Sequence, residues 1–127
     1  MQPFIMSTST KVLIVEERDL LREKIAGILS REKNITLVIQ VSSFSKLQLA
    51  LGETTLDLIL GDYFDFNKYF KEKNISAADL CPTANILLYT DDYRQLNQIE
   101  MEHPNEQRII DVRHILQEVN NFLKKRS

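Results

Sequence analysis

The 127-residue chain is short of the residues on which several kinds of functional site depend. The chain has one cysteine, which excludes an internal disulfide. Its two histidines are not spaced from each other or from the cysteine as zinc ligands usually are. Three glycines do not make a glycine-rich phosphate-binding loop. The first ten residues, MQPFIMSTST, carry no basic residue and only a broken apolar patch, so we expect neither a signal peptide nor a membrane span there.

The charge balance also excludes some partners. A net charge of -2 gives no electrostatic basis for binding nucleic acid or a membrane surface, so any DNA binding would belong to a domain outside this chain. Apolar residues make up 43%, which over this length is enough for one domain with its own core. The single cysteine, Cys81, fits a reducing compartment, and the cytoplasm is the expected location.

From Lys11 onward, strand-like and helix-like patterns alternate, which predicts an α/β domain over residues 11–127 with a parallel sheet covered by helices. Residues 1–10 are predicted to be a disordered leader. Strands are predicted at 11–15, 36–41, 56–60, 85–90 and 108–110. Helices are predicted from 19 to about 34, near 43–52, in two pieces over 67–73 and 76–80, at 92–102, and after Asp111. Residues 63–66 are predicted to form an aromatic loop.

The stretch Leu56–Asp62, LDLILGD, is an apolar run that ends abruptly in a carboxylate. In parallel α/β sheets the functional crevice lies outside the carboxyl ends of the strands, so we expect Asp62 to face that crevice. Glu16 and Glu17 follow the first strand and Thr90 ends the fourth. We therefore expect the carboxylates of Glu17 and Asp62 to lie within a few ångströms of each other. The alternative is that Asp62 begins a turn or caps the next helix.

Three blocks of the sequence carry a family resemblance: LIVEERDLLREKIAGIL (Leu13–Leu29), LDLILGD (Leu56–Asp62) and NILLYT (Asn85–Thr90). Together they resemble the receiver domain of two-component response regulators, most closely the NarL-type subfamily. The likeness extends over roughly Thr10 to Lys125. It implies a flavodoxin-like, doubly wound, five-stranded parallel sheet of order 2-1-3-4-5 with helices on both faces.

The resemblance also implies a site and partners. Asp62 would be the phosphoacceptor of a histidine kinase, and Thr90 the switch residue. Magnesium would be held by Glu16, Glu17, Asp62 and the backbone carbonyl of Phe64. Gathering several negative charges for phosphoryl transfer requires a divalent cation with oxygen ligands. The implied role is control of transcription through an output domain beyond Ser127.

The sequence departs from the receiver pattern at several of these positions. Receivers usually build the acidic pair on Asp, and two Glu residues displace the carboxylates in a site where magnesium tolerates little geometric error. Asp91 adds a negative charge where the family has a small residue. We therefore expect weak magnesium binding and slow or absent phosphorylation.

The receiver lysine at the end of strand five is also missing. Its position falls on Asp111, Arg108 or Arg113, depending on the alignment, and an arginine presents a planar fork instead of a compact ammonium. We expect no lysine ammonium to reach Asp62.

Three functional hypotheses follow: a phosphorylated receiver, a phosphorylation-independent pseudo-receiver that binds proteins or dimerises, and a flavodoxin-like cofactor-binding enzyme. The enzyme is the weakest, because Glu16 and Glu17 would repel a flavin phosphate. By the resemblance, the working surface is the helix at 92–102, the fifth strand and the last helix, through which the protein would dock or dimerise. The apolar stripe of that last helix is formed by Ile115, Leu116, Val119, Phe122 and Leu123.

Overall fold

The computed structural model describes residues 9–53, 55–92, 94 and 109–126. These residues form an α/β fold with an all-parallel sheet. Four strands, in the order β2-β1-β3-β4, are β1 (Thr10–Val15), β2 (Ile35–Val41), β3 (Leu58–Asp62) and β4 (Asn85–Thr90). A segment of three residues, β5 (Ile109–Asp111), pairs in parallel with the end of β4. The helices are α1 (Asp19–Leu29), α2 (Phe44–Glu53), α3 (Tyr63–Lys73), the short α4 (Ala77–Leu80) and α5 (Ile115–Arg126), which follows a 3-10 turn over Val112–His114.

The sheet lies between two hydrophobic layers because successive side chains of a strand point to opposite faces. On β1, Leu13 and Val15 pack with residues of α2 and α3. Val12 and Ile14 pack on the other side with residues of α1 and α5. All four side chains are buried, as expected for a central strand of a parallel sheet that is covered on both faces.

β3 begins later than the sequence predicts and continues further. The predicted strand, 56–60, stops before Gly61, whereas the observed strand includes both Gly61 and Asp62, which pair with β4. Leu56 is buried but precedes the strand. Gly61 lies directly beneath the ring of Phe66, which occupies the space that a Cβ would take. The carboxylate of Asp62 is therefore part of the strand end and not of a following loop.

The predicted aromatic loop is wrong, because α3 starts at Tyr63 immediately after the strand. Asp62 supplies the N-cap, with its side chain accepting hydrogen bonds from the backbone of Phe64 and Asp65. Tyr63, Phe66 and Tyr69 recur every three residues and are all buried, so the aromatic residues form the inner face of a helix.

Other helix bounds differ from prediction by a few residues. Arg18 is the N-cap residue of α1, so Asp19 is the first helical residue and not the cap, and the helix ends at Leu29 instead of near residue 34. Gly52 lies within α2 and does not stop it. β1 begins at Thr10, inside the predicted leader, whose first eight residues lie outside the described residues. The predicted helix at 92–102 also falls almost entirely outside them.

The last helix buries most of its apolar stripe. Ile115, Val119 and Leu123 lie in the core, Phe122 is half-buried against it, and Leu116 remains 37% exposed. In the described part of the chain, no helix has the length and apolar character needed to cross a membrane.

Candidate functional site

Four buried polar side chains lie at the carboxyl ends of neighbouring strands. Glu16 follows β1, Asp62 ends β3, Thr90 ends β4 and Asp111 ends β5. Because parallel strands present their carboxyl ends at one edge of the sheet, these residues come together although they are far apart in sequence. This edge is the candidate site.

The guanidinium of Arg18 lies among three carboxylates of this edge. Its Nε donates to Glu16 Oε2 at 3.0 Å and its Nη2 to Glu16 Oε1 at 3.0 Å. The same Nη2 lies 3.4 Å from Asp62 Oδ2, and Nη1 donates to the carboxylate of Asp91. One side chain thus links the ends of β1, β3 and β4. Hydrogen bonds to Glu16 first, and to Asp91 after it, raise the pKa of Arg18 above its ordinary value, although burial acts in the opposite direction.

Glu16 is the most deeply buried acid of the site, at 1% exposure. Besides the guanidinium, it accepts hydrogen bonds from the Arg18 backbone N–H at 3.0 Å and the Tyr89 hydroxyl at 2.7 Å. Burial raises the pKa of Glu16, but the hydrogen bonds from Arg18 and Tyr89 outweigh burial and hold it below its ordinary value. Glu16 is therefore a charged, fully paired group within the core.

Asp62 uses its carboxylate to begin α3. Oδ1 accepts the backbone N–H groups of Phe64 at 2.9 Å and Asp65 at 3.2 Å. The cap that the sequence left as an alternative is thus confirmed. Burial raises the pKa of Asp62 above its ordinary value, because it outweighs those two hydrogen bonds and the charge of Arg18.

The other two predicted metal ligands lie differently. Glu17 is exposed and borders a groove next to α3. Phe64 is in the first turn of α3 with its side chain 42% exposed, and helical carbonyls point along the axis toward the carboxyl end, away from the edge where Asp62 lies. Within the described ranges, no group of three or more His, Cys, Asp or Glu side chains is arranged to hold a metal ion. As arranged, Glu16 and Asp62 surround a guanidinium and do not form an oxygen cage for magnesium, whose binding stays a prediction.

Thr90 is 1% exposed, and its hydroxyl oxygen accepts the backbone N–H of Asp92 at 3.2 Å. Its oxygen therefore helps to shape the turn after β4.

Asp111 ends β5 and is one of the three candidates for the position of the receiver lysine. The guanidinium of Arg113 forms a bidentate ion pair with the Asp111 carboxylate: Nε donates to Oδ1 at 3.0 Å and Nη2 donates to Oδ2 at 2.7 Å. Hydrogen bonds from the side chain and backbone of Arg113 lower the pKa of Asp111 to about 2. Arg108, the remaining candidate for the lysine position, lies outside the described residues.

Two residues of the site were missed by sequence reasoning. The sequence does not predict Arg18, because two of its three carboxylate partners, Asp62 and Asp91, are 44 and 73 residues away. The available signal was an arginine directly after two acids at a strand end. Asp65 was also overlooked: burial, together with the charges of Asp62, Glu17 and Glu16, raises its pKa to about 6. It borders the groove of about 290 Å³ that also includes Glu17, Lys68 and Glu72.

A comparison with protein-family models and with curated proteins finds no match to this chain. The function must therefore be inferred from the geometry of the strand-end site.

Proposed function

We propose that this chain is a receiver-like signalling domain that acts without phosphoryl transfer, as a protein-interaction module. The observation that carries the proposal is the Arg18 guanidinium bound among Glu16, Asp62 and Asp91. In the receiver interpretation, a magnesium ion would neutralise two of these acids, Glu16 and Asp62, in the same region. The fold proposed with it is flavodoxin-like and doubly wound, with five strands in the order 2-1-3-4-5. The short parallel ladder between β4 and β5 supports that order.

The charge balance supports this proposal first. A phosphorylated aspartate needs positive charge to offset the phosphoryl group, in addition to what the acids already require. Here the positive charge of Arg18 is shared among three carboxylates. A divalent cation that entered would have to displace the guanidinium from the buried Glu16 carboxylate, to which it donates two hydrogen bonds of 3.0 Å.

The oxygen atoms of Asp62 support the proposal next. A phosphoacceptor must direct an oxygen lone pair at the incoming phosphorus. Oδ1 already accepts two backbone N–H groups at the start of α3, and Oδ2 faces Arg18. Phosphorylating Oδ1 would cost the helix its cap, and phosphorylating Oδ2 would require Arg18 to move.

The missing lysine supports the proposal further. In the part of the chain that the structure describes, the cation paired with Asp62 is Arg18, and no lysine forms a salt bridge with it. The position at the end of β5 carries the acid Asp111, whose charge is balanced by Arg113. An acid at that position cannot hold a phosphoryl group.

Under this proposal the domain signals through contacts with a protein partner in the cytoplasm, and its fold is the rigid scaffold for that surface. Histidine-kinase phosphorylation at Asp62, followed by transcription control through a separate output domain, is the competing function that the experiment distinguishes.

The test is incubation of the protein with magnesium and acetyl phosphate, followed by intact-mass measurement. We expect no phosphoryl adduct at Asp62. The control is Asp62→Asn, which keeps an oxygen to cap α3 but cannot accept a phosphoryl group in the same way. Stoichiometric modification of the unmodified sequence that disappears in Asp62→Asn would establish the conventional receiver function. In a partner-binding assay, the unmodified protein and Asp62→Asn are expected to bind the same proteins.

A further inference from the structure

In the part of the chain that the structure describes, the outer edge of the sheet at β2 is open. Among the described residues, β2 pairs on one side only, with β1. Its middle residues are not buried, and Leu37 is 40% exposed, whereas every residue of β3 is buried. From 35 to 43 the chain contains no charged residue and no proline, the residue types that commonly protect an edge from pairing. The edge is therefore chemically suited to accept another strand.

The register identifies the backbone groups that are available. In a parallel pair, alternate residues of a strand direct their backbone groups toward a given neighbour. The Val41 carbonyl accepts the Glu16 N–H at 3.1 Å, so Val41 faces β1, and by alternation so do Ile39 and Leu37. The N–H and C=O groups of Val38 and Gln40 consequently point outward.

The part of β2 with regular strand geometry begins at Leu37. Between the pairs Thr10–Ile35 and Lys11–Leu37 the register shifts, which makes Thr36 an extra residue on β2. The Thr36 hydroxyl is bound locally, 2.8 Å from that of Ser9. The strand available for pairing is therefore Leu37–Val41.

We propose that this edge binds a second copy of the chain, in an antiparallel pair whose twofold axis passes through Ile39. Val38 then exchanges both backbone hydrogen bonds with the partner's Gln40, and Gln40 does the same with the partner's Val38. The two sheets join into one continuous sheet. This surface is distinct from the strand-end site, so the proposal is independent of whether Asp62 accepts a phosphoryl group.

The strand is complementary to itself in this register. Side chains of Leu37, Ile39 and Val41 emerge on one face, and pairing sets Ile39 against the partner's Ile39 and Leu37 against the partner's Val41. Apolar and β-branched pairs of this kind stabilise antiparallel strands, and no like charges meet. All four outward groups of each copy are satisfied, and twofold symmetry closes the assembly at two chains. For these reasons the occupant is a second copy, and not a segment of another protein or an open-ended polymer.

Cysteine cross-linking tests the axis. In a Cys81→Ser background, Ile39→Cys should form an intermolecular disulfide rapidly under mild oxidation. Directly opposed residues that do not hydrogen-bond to each other have Cα atoms about 4.5 Å apart, within disulfide range. The control is Leu37→Cys, which should cross-link poorly because it lies four residues, about 13 Å, from the partner's Leu37. Leu37 is 40% exposed and Ile39 is partly buried, so random collision would give the opposite result.

A second pair of variants tests the backbone hydrogen bonds. Gln40→Pro removes an outward N–H without removing one that faces β1, and an edge strand tolerates proline at such a position. The matched control, Gln40→Thr, keeps the N–H. Sedimentation equilibrium is expected to show a dimer for the unmodified protein and Gln40→Thr, and a monomer for Gln40→Pro with its circular dichroism spectrum preserved.

Hydrogen exchange tests the same contact on the unmodified protein, so the result does not depend on whether a variant folds. The amides of Val38 and Gln40 should become protected as the protein concentration rises, whereas that of Ile39, bonded to β1, should be protected throughout. A monomer up to millimolar concentration, polymers in place of a dimer, equal cross-linking at positions 37 and 39, or exchange at Val38 and Gln40 that ignores concentration would each overturn the proposal.

Discussion

Replacing Arg18 with alanine should destabilise the protein more than any exposed arginine substitution. The change removes two hydrogen bonds to Glu16, a carboxylate with 1% exposure. Among the described residues, the Tyr89 hydroxyl and the backbone N–H of residue 18 remain as its donors. Removing one partner of a buried ion pair costs about 3–5 kcal/mol. Because the Arg18 side chain is 45% exposed, water can reach part of the gap, and we expect a loss at the low end, roughly 3 kcal/mol. For a domain of this size that lowers Tm by roughly 10 °C.

The loss should depend on pH in a definite direction. In the unmodified protein the folded-state pKa of Glu16 lies below its ordinary value of 4.5. Its contribution to stability is therefore present above pH 4.5 and disappears as the pH falls through the lowered pKa. Without Arg18, burial dominates and raises the pKa of Glu16, so protonation relieves the buried charge. The stability gap between the two proteins should narrow as the pH falls from 7 toward 4.

Urea unfolding at several pH values measures this gap. Arg18→Lys is the informative intermediate, since it keeps the charge but not the forked geometry and should recover only part of the loss. Arg31→Ala, at an exposed position after α1, is the surface control and should change little. A gap that stays constant between neutral and acidic pH, or an Arg18→Ala variant as stable as Arg31→Ala, would show that Arg18 does not stabilise the buried Glu16 carboxylate.

Three further substitutions test neighbouring parts of the site. The folded-state pKa of Asp65 is about 6, so above pH 6 the protein carries an unfavourable buried charge that Asp65→Asn removes. The variant should be more stable there by on the order of 1 kcal/mol after allowing for solvent screening, and the difference should vanish below the ordinary pKa of 3.8. Urea unfolding above pH 6 and below pH 3.8 measures the difference. Gly61→Ala should cost about 1–3 kcal/mol in thermal unfolding because its methyl group overlaps the ring of Phe66, and adding Phe66→Leu should recover part of it; no recovery would contradict the packing explanation. Tyr89→Phe should cost about 1.5–3 kcal/mol by losing a 2.7 Å hydrogen bond to the Glu16 carboxylate, and a change near zero in calorimetry would show that bond to be unimportant.

The sheet could be predicted because its strands have strong local signals. The pattern predicts the fourth strand at 85–90, and the strand is observed at Asn85–Thr90; the prediction of β1 is confirmed to within one residue. Both are buried runs with polar ends, a pattern that depends little on the rest of the chain. The start of α3 could not be predicted in this way. Its first turn contains two aromatic residues of modest helix propensity, and it is helical because Asp62 caps it and Tyr63 and Phe66 pack in the core.

The site could be predicted only in part. Alternating strands and helices predict that residues such as Glu16 and Asp62 share one edge, because that follows from parallel topology. The cation between them does not follow, since a long arginine side chain can turn toward any of several neighbours. Its orientation is determined by Glu16 and Asp91, and these meet only in the folded chain.

In the proposed function, the guanidinium of Arg18 supplies to Glu16 and Asp62 the positive charge that a magnesium ion would supply in a receiver. The most direct measurement is an NMR titration with magnesium that follows the Arg18 Nε–H signal, alongside the Tm of the unmodified protein and of Arg18→Ala. We expect this signal to stay unchanged and magnesium to raise the Tm of Arg18→Ala more than that of the unmodified protein. Displacement of the Arg18 signal by magnesium, with equal stabilisation of both proteins, would rule out this role of Arg18.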